Sequence, residues 1–168
     1  YAGAQKNMGP AGTTLVIVKD EILGKTGRKI PTMLNYNTHI SKGSMFNTPP
    51  VFAIYVSMLT LQWLKDFGGV EAIEKTNQEK ADLLYSEIDR NPLFEGTANK
   101  EDRSNMNVCF LLTDSSKEKI FNKMWQEAGI NGLKGHRSVG GYRASLYNAL
   151  PNESVQILVN IMRKLEQN

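Results

Sequence analysis

A chain of 168 residues, 40% of them hydrophobic, is long enough for one compact domain, or for one small domain and part of another. Its formal net charge of +3 is too small to call for nucleic acid, and no apolar run approaches the roughly 20 residues that cross a bilayer. The lone Cys109 excludes an internal disulfide; within the apolar run 106–112 it reads as a buried structural thiol, in keeping with a soluble protein of a reducing cytoplasm.

In chain order, the run Thr13-Thr-Leu-Val-Ile-Val-Lys19 follows a Gly/Pro turn and predicts a short buried strand, which places Lys6 in the loop that enters it. Residues 20–47 carry Gly24, Gly27, Pro31 and Gly43 with no sustained period and read as loop, with His39 at its surface. Thr48-Pro49-Pro50 opens a helix that Gly68-Gly69 stops, and its apolar residues from Val51 to Leu64 cover most of the circumference, predicting burial or a place between domains. A second helix, about Val70 to Arg90, sets Val70, Ile73, Ala81, Leu84 and Ile88 along one stripe and pairs Glu71 with Lys75 outside. Asn105 to Leu112 reads as a strand. Ser115 or Ser116 caps a helix with Ile120, Phe121, Met124, Trp125 and Ala128, ended by Gly129. Arg143 to Tyr147 predicts another strand, and Asn152 caps a last helix with the stripe Val155, Leu158, Ile161, Met162 and Leu165. Helix, strand, helix, strand, helix is the order of a small α/β layer.

The charge is unevenly spread. No Asp or Glu lies between Glu21 and Asp66, and a second acid-free window from Glu127 to Glu153 holds Lys134, His136, Arg137 and Arg143. Acid-free segments with clustered cations hold a small anion without like-charge repulsion. Nothing in the pattern calls for a metal.

Four segments sharpen this reading: Ala2-Gly-Ala-Gln-Lys-Asn7, Ser44-Met-Phe-Asn-Thr-Pro-Pro50, Arg103-Ser-Asn-Met-Asn-Val108, and Leu133-Lys-Gly-His-Arg-Ser-Val-Gly-Gly-Tyr-Arg-Ala-Ser145 running into Leu146-Tyr-Asn148. In order and spacing they resemble the class V aminotransferases, in particular the phosphoserine aminotransferases, which are fold type I pyridoxal phosphate enzymes. The resemblance covers nearly the whole chain. It implies an α/β fold in two parts: residues 1–65 as the end of a large cofactor-binding domain and 66–168 as a small carboxy-terminal domain. It also implies that the chain is a carboxy-terminal piece of a longer protein, because Tyr1 already stands inside a motif.

The resemblance gives roles to particular residues. Lys6 is the lysine that carries pyridoxal 5'-phosphate covalently, through an amine that reacts only when neutral, and then acts as general acid/base at the substrate α-carbon. Gln5 beside it either donates to the cofactor phosphate or faces solvent; the family favours the phosphate. Asn47 and Thr48 stand at a helix start, where free N–H groups and the positive dipole end suit an anion; taken alone they are capping residues, whereas the family has them reach the cofactor phosphate of the neighbouring subunit in a homodimer with shared active sites. His136 and Arg137 grip the substrate phosphate and Arg143 the α-carboxylate, with Gly140-Gly141 as the tight turn between them. Arg103 has no role beyond a structural salt bridge.

The implied reaction is reversible amino transfer between glutamate and 3-phosphohydroxypyruvate in serine biosynthesis, by a ping-pong route, with a related phosphorylated hydroxythreonine reaction of pyridoxine biosynthesis in some bacterial members. In such enzymes the acid at the pyridine nitrogen, the stacked aromatic ring and a glycine-rich phosphate turn precede the lysine, so these 168 residues are expected to be inactive alone. Two rivals remain at this point. A non-catalytic anion-binding or dimerisation module needs only the basic window and the apolar helix, and a serine–glyoxylate enzyme would share the fold but has less use for paired His136 and Arg137.

Overall fold

The structure, a computed structural model, describes residues 1–136 and 140–167, so the expectation for Arg137 lies outside the described residues. The chain divides into two compact units, Tyr1–Asp66 and Phe67–Asn168.

In the first unit, β1 (Ala2–Gly3) pairs antiparallel with β2 (Thr14–Leu15), Ala2 opposite Leu15. The strand expected over 13–19 is therefore only two residues long and is not buried: Leu15, Val16 and Ile17 are all exposed. Short helical turns at Asp20–Ile22 and Thr32–Leu34 precede α1 (Tyr36–Ile40), whose first turn is held by Asn35 Oδ1 accepting from Asn37 N at 3.1 Å. His39, expected at the surface, is half-buried: its Nε2 lies 2.9 Å from Met33 O and its ring meets Phe46 edge-on.

The long helix α2 (Val51–Asp66) begins after both prolines, and Pro50 O accepts the first full helical bond, from Ile54 N at 3.0 Å. Pro50 pushes Pro49 toward extended backbone, which moves the start beyond the position a Thr48 cap would set. Within this chain only Ala53 and Ser57 of the helix are buried and Phe52 is 75% exposed, so of the two expectations, burial or a place between domains, burial inside this unit does not hold.

The second unit is two-layered. Its sheet has the order β3-β4-β5, all antiparallel, from Phe94–Gly96, Asn107–Leu112 and Tyr142–Ser145. Period-2 alternation turns Val108, Phe110, Tyr142 and Ala144 inward and leaves Cys109 half-buried and Arg143 exposed, so the thiol is less buried than expected. Against the inner face lie α3 (Gly69–Arg90), α4 (Glu118–Glu127) and α5 (Asn152–Glu166). Phe94, Phe110, Phe121 and Tyr142 form an aromatic centre with ring centroids 4.9–5.8 Å apart.

The stripe of α5 is buried at all five expected positions, and so are Ile73, Ala81, Leu84 and Ile88 of α3, whereas Val70 is exposed. Two capping expectations change. Asp114, not a serine, opens the turn Ser115–Lys117 ahead of α4, its Oδ1 accepting from Ser116 N at 2.9 Å. Asn152 is the first residue of α5, behind Pro151, and its side-chain amide reaches Glu79 at 3.5 Å. The α/β expectation holds. The strand β3 was not foreseen, because three residues are too few to show a period.

Candidate functional site

In the first unit the loop of residues 4–13 is folded back on itself, with Ala4 N donating to Thr13 O at 2.8 Å and Lys6 N to Ala4 O at 2.7 Å. It sits on α2 through small residues. A Cβ at Gly9, whose φ is +149°, would come 2.5 Å from Ser57 Oγ and 3.0 Å from Ser57 Cα. This contact fixes the loop on the helix, and Gln5 and Lys6 stand exposed at its edge. Asn47 and Thr48 are exposed just ahead of α2, and Asn47 Nδ2 donates to Thr48 O at 3.2 Å.

In the second unit residues 133–136 fold back against residues 140–143. Arg143 N donates to Leu133 O at 2.7 Å, Gly135 N to Gly141 O at 2.8 Å and Gly140 N to His136 O at 2.9 Å. This fold-back brings His136 and Arg143 into one element, both exposed. Gly140 and Gly141 adopt φ of +74° and +63°, as their expected turn requires. At Gly141 a Cβ would also lie 2.7 Å from Phe110 O, so strain and collision coincide. Gly141→Ala is expected to lower stability by about 2 kcal/mol, read as a shifted urea midpoint at unchanged slope.

Arg143 stands opposite Cys109 on the outer sheet face, beside a cleft of about 460 Å³ lined in part by Ile130, Leu133, Leu146, Ser154 and Leu158. Its neighbour Tyr142 faces inward and donates to Asn122 Oδ1 at 3.0 Å. Burial, with Glu118 adding to it, pushes the Tyr142 phenol up to about 12, so it remains a neutral donor. Arg103 makes the expected salt bridge, a fork onto Asp89 at 2.6 and 2.9 Å, and lies 4.5 Å above the Tyr85 ring. That fork holds the Asp89 carboxyl below its ordinary range.

Sequence reasoning missed the polar groups on the inner face of α3. Lys80 is 0% exposed and donates to Leu146 O, Tyr147 O and Leu150 O at 3.1, 2.9 and 3.1 Å. Burial lowers its pKa from the ordinary lysine value, while three acceptors match the three N–H bonds of an ammonium. One turn earlier, Asn77 Nδ2 donates to Asn148 Oδ1 at 2.9 Å. Two turns later, the Glu87 carboxylate accepts from Arg90, Asn91 and Arg163. The signal was present as a gap: the stripe from Ile73 to Ala81 has no apolar member at 77 or 80, where the helical period requires one.

The model of the class-V aminotransferases matches residues 1–158. Phosphoserine aminotransferases of Flavobacterium psychrophilum and Flavobacterium johnsoniae are 73% and 68% identical over 166 residues, covering 99% of this chain and 47% of each relative. A solved phosphoserine aminotransferase from Bacillus circulans subsp. alkalophilus superposes with a TM-score of 0.92 at 43% identity, over 98% of this chain and 46% of that one. The pyridoxal phosphate-bound phosphoserine aminotransferase of Trichomonas vaginalis gives 0.88 at 38% identity, over 96% and 46%. The chain thus spans about half the length of the curated relatives it matches. The match takes in both the Lys6 loop and the basic segment, and the chain belongs to the class-V aminotransferase family.

Proposed function

We propose that this chain is part of a phosphoserine aminotransferase, which moves an amino group reversibly between glutamate and 3-phosphohydroxypyruvate in serine biosynthesis. The observation that carries the reading is the 73% identity over 99% of the chain to a protein of that name. The donor set fits pyridoxal 5'-phosphate: Lys6 offers an exposed primary amine, Asn47 and Thr48 stand at a helix start, and no carboxylate occurs between Glu21 and Asp66 to repel a phosphate. When bound, the cofactor supplies the electron sink that makes a substrate α-proton removable. Lys6 holds it and moves that proton, with Gln5 beside it as a phosphate donor.

On the substrate side, His136 and Arg137 read the phosphate and Arg143 the α-carboxylate. Both guanidinium groups belong to one acid-free segment, which suits a substrate anionic at both ends. The test is turnover of phosphoserine with 2-oxoglutarate by the full-length protein. No glutamate formed would reject the reading, and a preference for serine and glyoxylate would move it to the sibling activity.

Arg143→Lys is expected to raise KM for every amino acid substrate about tenfold or more, because a point charge cannot replace a two-pronged grip. Arg137→Ala is expected to weaken phosphoserine far more than glutamate; equal losses would remove Arg137 from the phosphate.

The protein is a cytoplasmic homodimer in this reading, with Asn47 and Thr48 serving the neighbouring site. No helix among the described residues is long and apolar enough to cross a membrane. Mixing Lys6→Ala chains with Asn47→Ala/Thr48→Ala chains tests the sharing. A shared site concentrates both defects in one site, so each mixed dimer regains about half of the wild-type activity, whereas unshared sites restore none.

A further inference from the structure

The fold-back fixes Arg143 from two sides. Its backbone is paired with Cys109 of β4 across the sheet, and its N–H is taken by Leu133 O on the other edge. Neither contact fixes where the strand ends. That end is set by residues 146–150, which leave the sheet after Leu146 N has donated to Met106 O at 2.8 Å. Three carbonyls of this turn converge on the Lys80 ammonium, and its Asn148 side chain is held by Asn77.

An ammonium at this position is costly. Lys80 occupies a core-facing place on α3 between Asn77 and Leu84, where an apolar side chain would bury without desolvating a charge. What the charge contributes is geometric: three donors define three carbonyl positions, starting three residues after Arg143, or roughly 10 Å along an extended strand. Two-pronged carboxylate binding is sensitive to such placement, since an error on the order of 1 Å at a positioning group costs on the order of a hundredfold in rate.

We propose that Lys80, assisted by Asn77, is a positioning residue for Arg143, holding the turn at 146–150 so that the guanidinium meets the substrate carboxylate in register. This rests on the reading of Arg143 as the carboxylate-binding residue. Lys80 touches neither substrate nor cofactor in this role; it acts through the backbone.

The test is a double-mutant cycle in the full-length holoenzyme with Lys80→Met, which keeps length and removes the donors, and Arg143→Lys. Lys80→Met is expected to raise KM for phosphoserine and glutamate together by about tenfold, with kcat changed less than about threefold and the cofactor absorbance intact. In the Arg143→Lys background the same change should raise KM less than about threefold, because the group being positioned is already impaired. An equal rise in both backgrounds, or no rise in either, overturns the proposal while leaving Arg143 in place. If Arg143→Lys by itself leaves KM unchanged, both this proposal and the reading beneath it fall. Should Lys80→Met not fold, Asn77→Ala carries the same cycle, with an expected rise of about threefold that disappears in the Arg143→Lys background.

Discussion

Lys6→Ala in the full-length protein is expected to remove covalent cofactor attachment and to lower turnover by at least about a thousandfold, since the proposed role makes Lys6 both tether and proton carrier. The effect should be confined to chemistry. Lys6 is exposed at the edge of a loop whose seat on α2 is made by Gly9 and Ser57. The measurement is the visible absorbance of the purified protein, together with borohydride reduction followed by peptide mass analysis. In the parent protein the added mass should fall on the peptide containing Lys6, and in the variant no peptide should carry it. A variant that keeps the cofactor absorbance would remove Lys6 from the role.

Glu87→Ala is expected to cost about 3 kcal/mol of stability at neutral pH, at the low end for breaking a buried ion pair because Arg90 and Arg163 retain access to water. The Glu87 side chain is 0% exposed and accepts from Arg90 Nη2 at 2.8 Å, Arg163 Nε at 2.9 Å and Asn91 Nδ2 at 3.0 Å. Asn91 in turn donates to Met162 O, so the cluster ties the end of α3 to α5.

Burial alone would raise the Glu87 carboxyl, but the hydrogen bonds from Arg90, Asn91 and Arg163 outweigh it and bring the pKa below the ordinary glutamate value. The folded chain therefore holds fewer protons here than the unfolded chain in acid. The contribution is complete above the unfolded value of about 4.3 and is lost as pH falls from there through the depressed folded value. Urea titrations of parent and Glu87→Gln between pH 7 and pH 3 should converge on the acid side. A gap that stays constant across that range would mean that charge plays no part.

The sequence by itself determined what local chemistry decides. The helices α3 and α5 announce themselves through apolar residues three and four apart, and all five stripe positions of α5 are buried. The Gly140-Gly141 turn was legible because two adjacent glycines permit positive φ where other residues are strained. The acid-free windows were legible as composition, and the four motifs carried the family. Roles for Lys6, Asn47, Thr48, His136, Arg137 and Arg143 came from that resemblance, since none of these residues is distinctive by type alone.

Only the tertiary structure decided which polar residues serve the core. The sequence reading singled out neither Lys80 nor Glu87, and their burial depends on carbonyls 66–70 residues away and on Arg163, 76 residues away. No local pattern encodes such partners. For the same reason β3 exists because Phe94 finds Leu112 across the sheet. Hydrophobic period is a property of one segment, whereas satisfying a buried ammonium or pairing a strand edge is a property of two, and the second segment is known only once the chain has folded.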